Sequence, residues 1–147
     1  MKKEKYITNI EMYIPEKLEL IERPVVNEAI AAGFPSPAED FKEVRISLDK
    51  ELIKNEDATF YARVRGNSMV DANIEDGDLL VIDRSIETRD GKVAVCMVDG
   101  EFTVKRLKVE KDCVYLVPEN KKYKTIKVTE DNEFIVWGIV TYVIKKV

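Results

Sequence analysis

The spacing of apolar and polar residues changes character near residue 59. From there to the C-terminus the chain runs in short blocks of strand-like pattern. They are Thr59–Arg65, Asp78–Asp83, Lys92–Val98, Glu101–Lys108, Val114–Pro118, Lys124–Val128 and Glu133–Lys145. Short blocks of this kind, separated by turn residues, predict an all-β domain. Asp99-Gly100, flanked by apolar runs, predicts a two-residue hairpin. Asp76-Gly77 and Asp90-Gly91 predict two further turns. The last block, EFIVWGIVTYVIKKV, is apolar on both parities. One of its faces is expected on the core and the other against a second copy of the chain. Gly138 within it predicts a bulge or a close approach of backbone.

The first part of the chain is less regular. Residues 1–23 show no clear period, and no element is predicted there. Pro24–Ala31 (PVVNEAIA) predicts a short helix, because proline suits a first helical position. Ala32–Pro37 is expected to be extended, since Pro35 and Pro37 push Phe34 and Ser36 out of the helical region. Asp49–Asn55 predicts a second short helix, with Ser47 or Asp49 as cap. The fold class that follows is mainly β, a small domain behind an extended N-terminal arm. At 147 residues there is room for one self-sufficient core.

Composition removes several functions. There is no histidine, so a Ser-His-Asp triad cannot exist. The two cysteines, Cys96 and Cys113, are too few for a zinc site without histidine, and no metal or cofactor is implied. Both lie in apolar strand patterns and are expected as buried thiols. A net charge of −4, with acids and bases mixed, argues against sequence-specific DNA binding through a basic face. The one dense basic run, Lys121, Lys122, Lys124 and Lys127, is expected as a solvated hairpin tip. The N-terminal MKKEKYITNIEMYIPEK has no apolar run behind its lysines, so no membrane anchor or signal is expected and the default is cytoplasmic.

Against that background one serine stands out. Ser68 lies in a Gly66-Asn67-Ser68-Met69 turn between two strand blocks. Such a turn aims successive backbone N–H groups to one side, and the Asn67 and Ser68 amides are candidate oxyanion donors. Without histidine, a nucleophilic Ser68 needs another base. Lys105, 37 residues later, sits mid-strand in EFTVKRL, with Thr103, Lys105 and Leu107 on one face. Burial would disfavour its charged form and make it a base. The bland account is a capping serine and a lysine at a sheet edge.

The strings GNSMVDANIEDGDLLVID, VDGEFTVKRL and AAGFPSPAEDF, in these relative positions, resemble the LexA/UmuD-type self-cleaving serine peptidases. The resemblance covers roughly residues 29–147, and the GFPSP segment favours the UmuD branch. It implies a small, twisted, β-barrel-like peptidase domain. Ser68 matches the nucleophile, Lys105 the general base, and Ala32-Gly33 the scissile bond. Residues 1–32 would be the cleavable arm and 33–147 the peptidase and dimerisation domain. The resemblance further implies cleavage stimulated by a RecA–single-stranded DNA filament after DNA damage. The trimmed homodimer would then join a Y-family, UmuC-type polymerase in translesion synthesis. Three alternatives stand beside it. One is a type I signal peptidase, which normally needs a membrane anchor. Another is a fragment of a LexA-like or phage repressor. The last is a non-catalytic β interaction module.

Overall fold

The computed structural model describes residues 10–13, 22–26 and 43–147. The chain divides into two units, residues 1–15 with 55–147, and residues 16–54. In the larger unit the strands are β1 (Ile10–Tyr13), β4 (Thr59–Val64), β5 (Leu79–Asp83), β6 (Val93–Val98), β7 (Glu101–Val109), β8 (Val114–Val117), β9 (Ile126–Val128) and β10 (Phe134–Ile144). They form one antiparallel sheet in the order β1-β4-β5-β10-β6-β7-β8-β9. The mainly β expectation holds, and all seven strand blocks after residue 59 appear within two residues of their predicted bounds.

Turn chemistry sets the connections. Asp99 (φ 49°) and Gly100 (φ 81°) both take positive φ, as a two-residue hairpin with the twist of its strands requires. The β6–β7 ladder on either side runs in register from Val98↔Glu101 to Val93↔Arg106. Two apolar clusters line the sheet. One gathers Ala62, Val64, Met69, Ile74, Leu80, Ile82, Val95 and Val104. The other gathers Ala94, Cys96, Val98, Leu107, Leu116 and Ile139. β7 carries residues of both clusters and has a partner on each side, so it is an interior strand.

The smaller unit corrects the reading of the N-terminal part. Pro24–Val26 is not helical. It lies in β2 (Glu22–Val26), paired antiparallel with β3 (Glu43–Ser47). β-Branched Val25 and Val26 are stiff in a helix and suit a strand, and a two-stranded ribbon tolerates proline because each strand is an edge. Asn27–Ala31, the rest of the predicted helix, and the extended Ala32–Pro37 segment lie outside the described residues. The predicted second helix is present but shifted, α1 spanning Leu48–Leu52 with Ser47 at its N-cap position and no side-chain cap bond. β1 is an element where none was expected; it pairs with β4 from Ile10↔Val64 to Tyr13↔Tyr61.

β10 occupies the middle of the sheet, between β5 and β6. Its register slips between Val136 and Gly138, as the lone glycine predicted. A Cβ on Gly138 would stand 2.5 Å from Ile82 Cγ2, a stiff, fully buried side chain. Ile135 is exposed near its start, and Tyr142, Val143 and Ile144 are exposed at its C-terminal end. Gly138→Ala is therefore expected to lower stability by about 1–3 kcal/mol through overpacking. Urea unfolding followed by Trp137 fluorescence measures this; an unchanged midpoint would contradict it.

Candidate active site

The turn that carries Ser68 is built from its glycine outward. Gly66 takes φ 95°, a conformation that L side chains rarely adopt, and its N–H donates to Asp76 Oδ1 at 2.7 Å. Below it the β4–β5 hairpin is closed by Val64 N–H to Asp78 O at 2.9 Å and Gly77 N–H to Val64 O at 2.8 Å. After Ser68 the chain makes a single 3-10 turn, Val70–Ala72, and leaves it through Asn73 in the left-handed region (φ 59°). Met69, only 1% exposed, anchors the turn in the core beside Ile74. The Asn67 and Ser68 amides, expected as oxyanion donors, both belong to this turn.

Lys105 reaches the serine from β7. Its Nζ lies 3.1 Å from Ser68 Oγ, 2.8 Å from Thr103 Oγ1 and 3.0 Å from Val104 O. Ser68 is 2% exposed, Thr103 0% and Lys105 4%. The lysine at a solvated sheet edge is thus not what the fold contains. β7 lies between β6 and β8, and its lysine points inward.

A buried ammonium loses its hydration, and this is the main cause that brings the Lys105 pKa down from 10.5 to about 8. Cys96 lies across the β6–β7 ladder from Thr103, and its thiol would pull the other way were it ionised. Burial instead pushes Cys96 up to about 12, so it is a neutral thiol where Lys105 titrates. No carboxylate among the described residues pairs with Lys105. The contact set suits a neutral amine: two N–H bonds can go to Thr103 Oγ1 and Val104 O, and the lone pair can accept the Ser68 O–H.

Some residues of the site were not singled out in the sequence. Thr103 is one, although its place two residues before Lys105 put it on the same face. Asn120 and Tyr123 are others. Asn120 Nδ2 donates to Asn67 O at 2.9 Å, and Tyr123 O–H donates to Asn67 Oδ1 at 2.5 Å. Both come from the β8–β9 loop, whose lysines 121, 122 and 124 are indeed exposed. One cysteine departs from expectation. Cys96 is buried, but Cys113 sits half-exposed in the turn before β8, its thiol 3.8 Å from Glu110 Oε2. Ala32 and Gly33, the expected scissile pair, lie outside the described residues. Among the described residues no helix is long and apolar enough to cross a membrane.

The lowered pKa of Lys105 has a consequence for stability. Between about 8 and 10.5 the unfolded chain holds a proton that the folded chain has released. Stability contributed at this site therefore rises with pH across that window, and below it the full burial cost of the charge is present. Relative to Lys105→Met, wild type should gain about 3 kcal/mol between pH 7 and pH 11. Denaturant unfolding of both proteins at matched pH gives the difference. A constant difference would mean that Lys105 titrates as an ordinary exposed lysine.

Comparison with known proteins places the chain in a family. The family model described as Peptidase S24-like matches residues 24–141. Protein MucA of Escherichia coli is 40% identical over 121 residues, covering 81% of this chain and 82% of MucA. Protein ImpA of Shigella flexneri is 36% identical over 125 residues, 84% of each chain. The LexA repressor of Alcanivorax borkumensis is 41% identical over 118 residues, 80% of this chain but 56% of the repressor. A family match over most of the chain, with UmuD-type relatives that align over more than four-fifths of their own length, identifies the protein as a member of the S24-like peptidase family.

Proposed function

We propose that this protein is a self-cleaving serine peptidase that uses Ser68 as nucleophile and Lys105 as general base. The observation that carries the reading is the 3.1 Å contact between a buried serine hydroxyl and a buried lysine amine. Ser68 Oγ attacks the Ala32 carbonyl carbon while Lys105 Nζ takes the hydroxyl proton. The tetrahedral oxyanion is held by the Asn67 and Ser68 N–H groups. Collapse breaks the Ala32–Gly33 bond, and Lys105 hands its proton to the Gly33 nitrogen as it leaves. Water then attacks the acyl-enzyme; Lys105 takes a proton from it and returns one to Ser68 Oγ. The products are residues 1–32 and 33–147.

The base is credible only because its environment is dry. At an ordinary pKa, roughly one lysine in 3,000 is neutral at pH 7. With the pKa near 8, about one in ten is neutral. Thr103 Oγ1 and Val104 O fix the amine, so its lone pair is directed at Ser68. A non-catalytic β module would give no reason for an interior strand to bury a lysine against a serine.

The UmuD-type relatives support a wider setting. In it the trimmed protein works as a homodimer in SOS mutagenesis, with a RecA–single-stranded DNA filament promoting cleavage and a Y-family polymerase as partner. The exposed apolar end of β10 (Tyr142, Val143 and Ile144) is the surface we assign to the dimer.

The test is the mass of the purified full chain held between pH 6 and 10.5 without RecA. Loss of residues 1–32 is expected, at a rate rising about tenfold per pH unit and levelling above about 8. No step near 6.5 is expected, because the chain has no histidine. Ser68→Ala, Lys105→Ala and Lys105→Arg should each slow cleavage by at least about a thousandfold. An intact wild-type mass after days at pH 9, or a Lys105→Arg chain that keeps the wild-type profile, would contradict the reading.

A further inference from the structure

The β8–β9 loop touches both halves of the candidate site. From the nucleophile side, Asp71 N–H donates to Glu119 O at 2.8 Å, and Asn67 is held twice, at its carbonyl by Asn120 and at its side-chain oxygen by Tyr123. From the base side, Arg106, next to Lys105, bonds Glu119 Oε1 through its Nε at 2.5 Å and Gly91 O through Nη1 at 2.7 Å. The loop also holds its own shape. Asn120 Oδ1 accepts the Lys122 N–H at 3.0 Å, and Asn120 O accepts the Tyr123 N–H at 3.1 Å.

The Asn67–Ser68 peptide is what this arrangement fixes. The bond is trans, so its C=O and N–H point in opposite directions. Asn67 O accepts from Asn120 Nδ2 at 2.9 Å and from Val70 N–H at 3.4 Å, so both lone pairs of the oxygen are engaged. With the oxygen drawn towards Asn120, the Ser68 N–H faces away from the loop. Rotation of this peptide would turn the amide aside and bring a carbonyl oxygen, an electron-rich group, into its place. Short turns flip such peptides readily when nothing holds them, and a glycine one residue earlier lowers the resistance further.

We infer that Asn120 and Tyr123 are positioning residues that lock the Asn67–Ser68 peptide with its Ser68 N–H in the oxyanion-binding orientation. This rests on the peptidase reading above and adds a distinct claim to it. Asn120 and Tyr123 do not touch Lys105, so they act on transition-state stabilisation and not on the base.

The experiment compares full-length wild type, Asn120→Ala, Tyr123→Phe and Ser68→Ala. Two rates are measured from pH 6 to 10.5: self-cleavage, and labelling of Ser68 by diisopropyl fluorophosphate, whose phosphoryl oxygen occupies an oxyanion site without requiring the arm. Thermal melts check that each chain is folded. Asn120→Ala is expected to lower both rates about tenfold to a hundredfold at every pH, and Tyr123→Phe about threefold to tenfold. The midpoint of each pH profile should stay at the wild-type value, near 8. A loosened loop that merely admits water would raise the midpoint towards 10.5, and that result overturns the inference. So does an Asn120→Ala chain that matches wild type in both rates. If wild type neither cleaves nor is labelled, or if Ser68→Ala still cleaves, the peptidase reading itself fails and takes the inference with it. If wild type reacts and Ser68→Ala is dead, only the variants' rates and midpoints decide.

Discussion

A charged lysine is costly to bury, and the larger unit is arranged around one that is buried. Lys105 is on an interior strand, faces Ser68, and is offered two neutral acceptors and no carboxylate among the described residues. An acidic partner would satisfy the ammonium and keep it protonated, making it useless as a base. Burial among neutral groups does the opposite: it disfavours the ammonium and leaves an amine. The same choice accounts for Cys96, whose buried thiol stays neutral and adds no counter-charge.

The rest of the fold supplies what that constraint requires. A lysine on β7 is shielded from the sides only if β7 has a neighbour on both, which β6 and β8 provide. Ser68 meets it only if the β4–β5 connection is held at one height, and that is the task of Gly66, the Asp76 side chain and Met69 in the core. The β8–β9 loop then joins the two elements from outside through Glu119, Asn120 and Tyr123. Fixing four turn residues costs roughly 1–2 kcal/mol each in backbone entropy, against about 1 kcal/mol returned by each hydrogen bond. The turn cannot hold itself and depends on these external contacts.

Much of this could be read from the residues because the relevant signals are local. Strands after Thr59 follow from alternation and from turn residues such as Asp99-Gly100, whose positive φ values the structure repeats. A glycine turn, a mid-strand lysine and the lack of histidine singled out Ser68 and Lys105 as a pair, and the fold brings the two side chains together. What was missed depends on pairing across the chain. Val25 and Val26 form a strand with Val44 and its neighbours alongside, and the only local sign of that partner is the alternation of EVRIS at Glu43–Ser47. Asn120 and Tyr123 lay inside a lysine-rich run whose charges drew attention to solvent. Their partner, Asn67, is 53 and 56 residues earlier, a distance no local pattern spans.

The central claim is that Lys105 is a neutral amine under conditions where other lysines are charged. Its titration can be followed directly by NMR of the side-chain nitrogen and adjoining carbon, in Ser68→Ala so that the chain stays whole, with Lys105→Met identifying the resonance. The account predicts a midpoint near 8, more than two pH units below ordinary lysines. A midpoint at 10 or above would contradict it, whatever the distance between the two side chains.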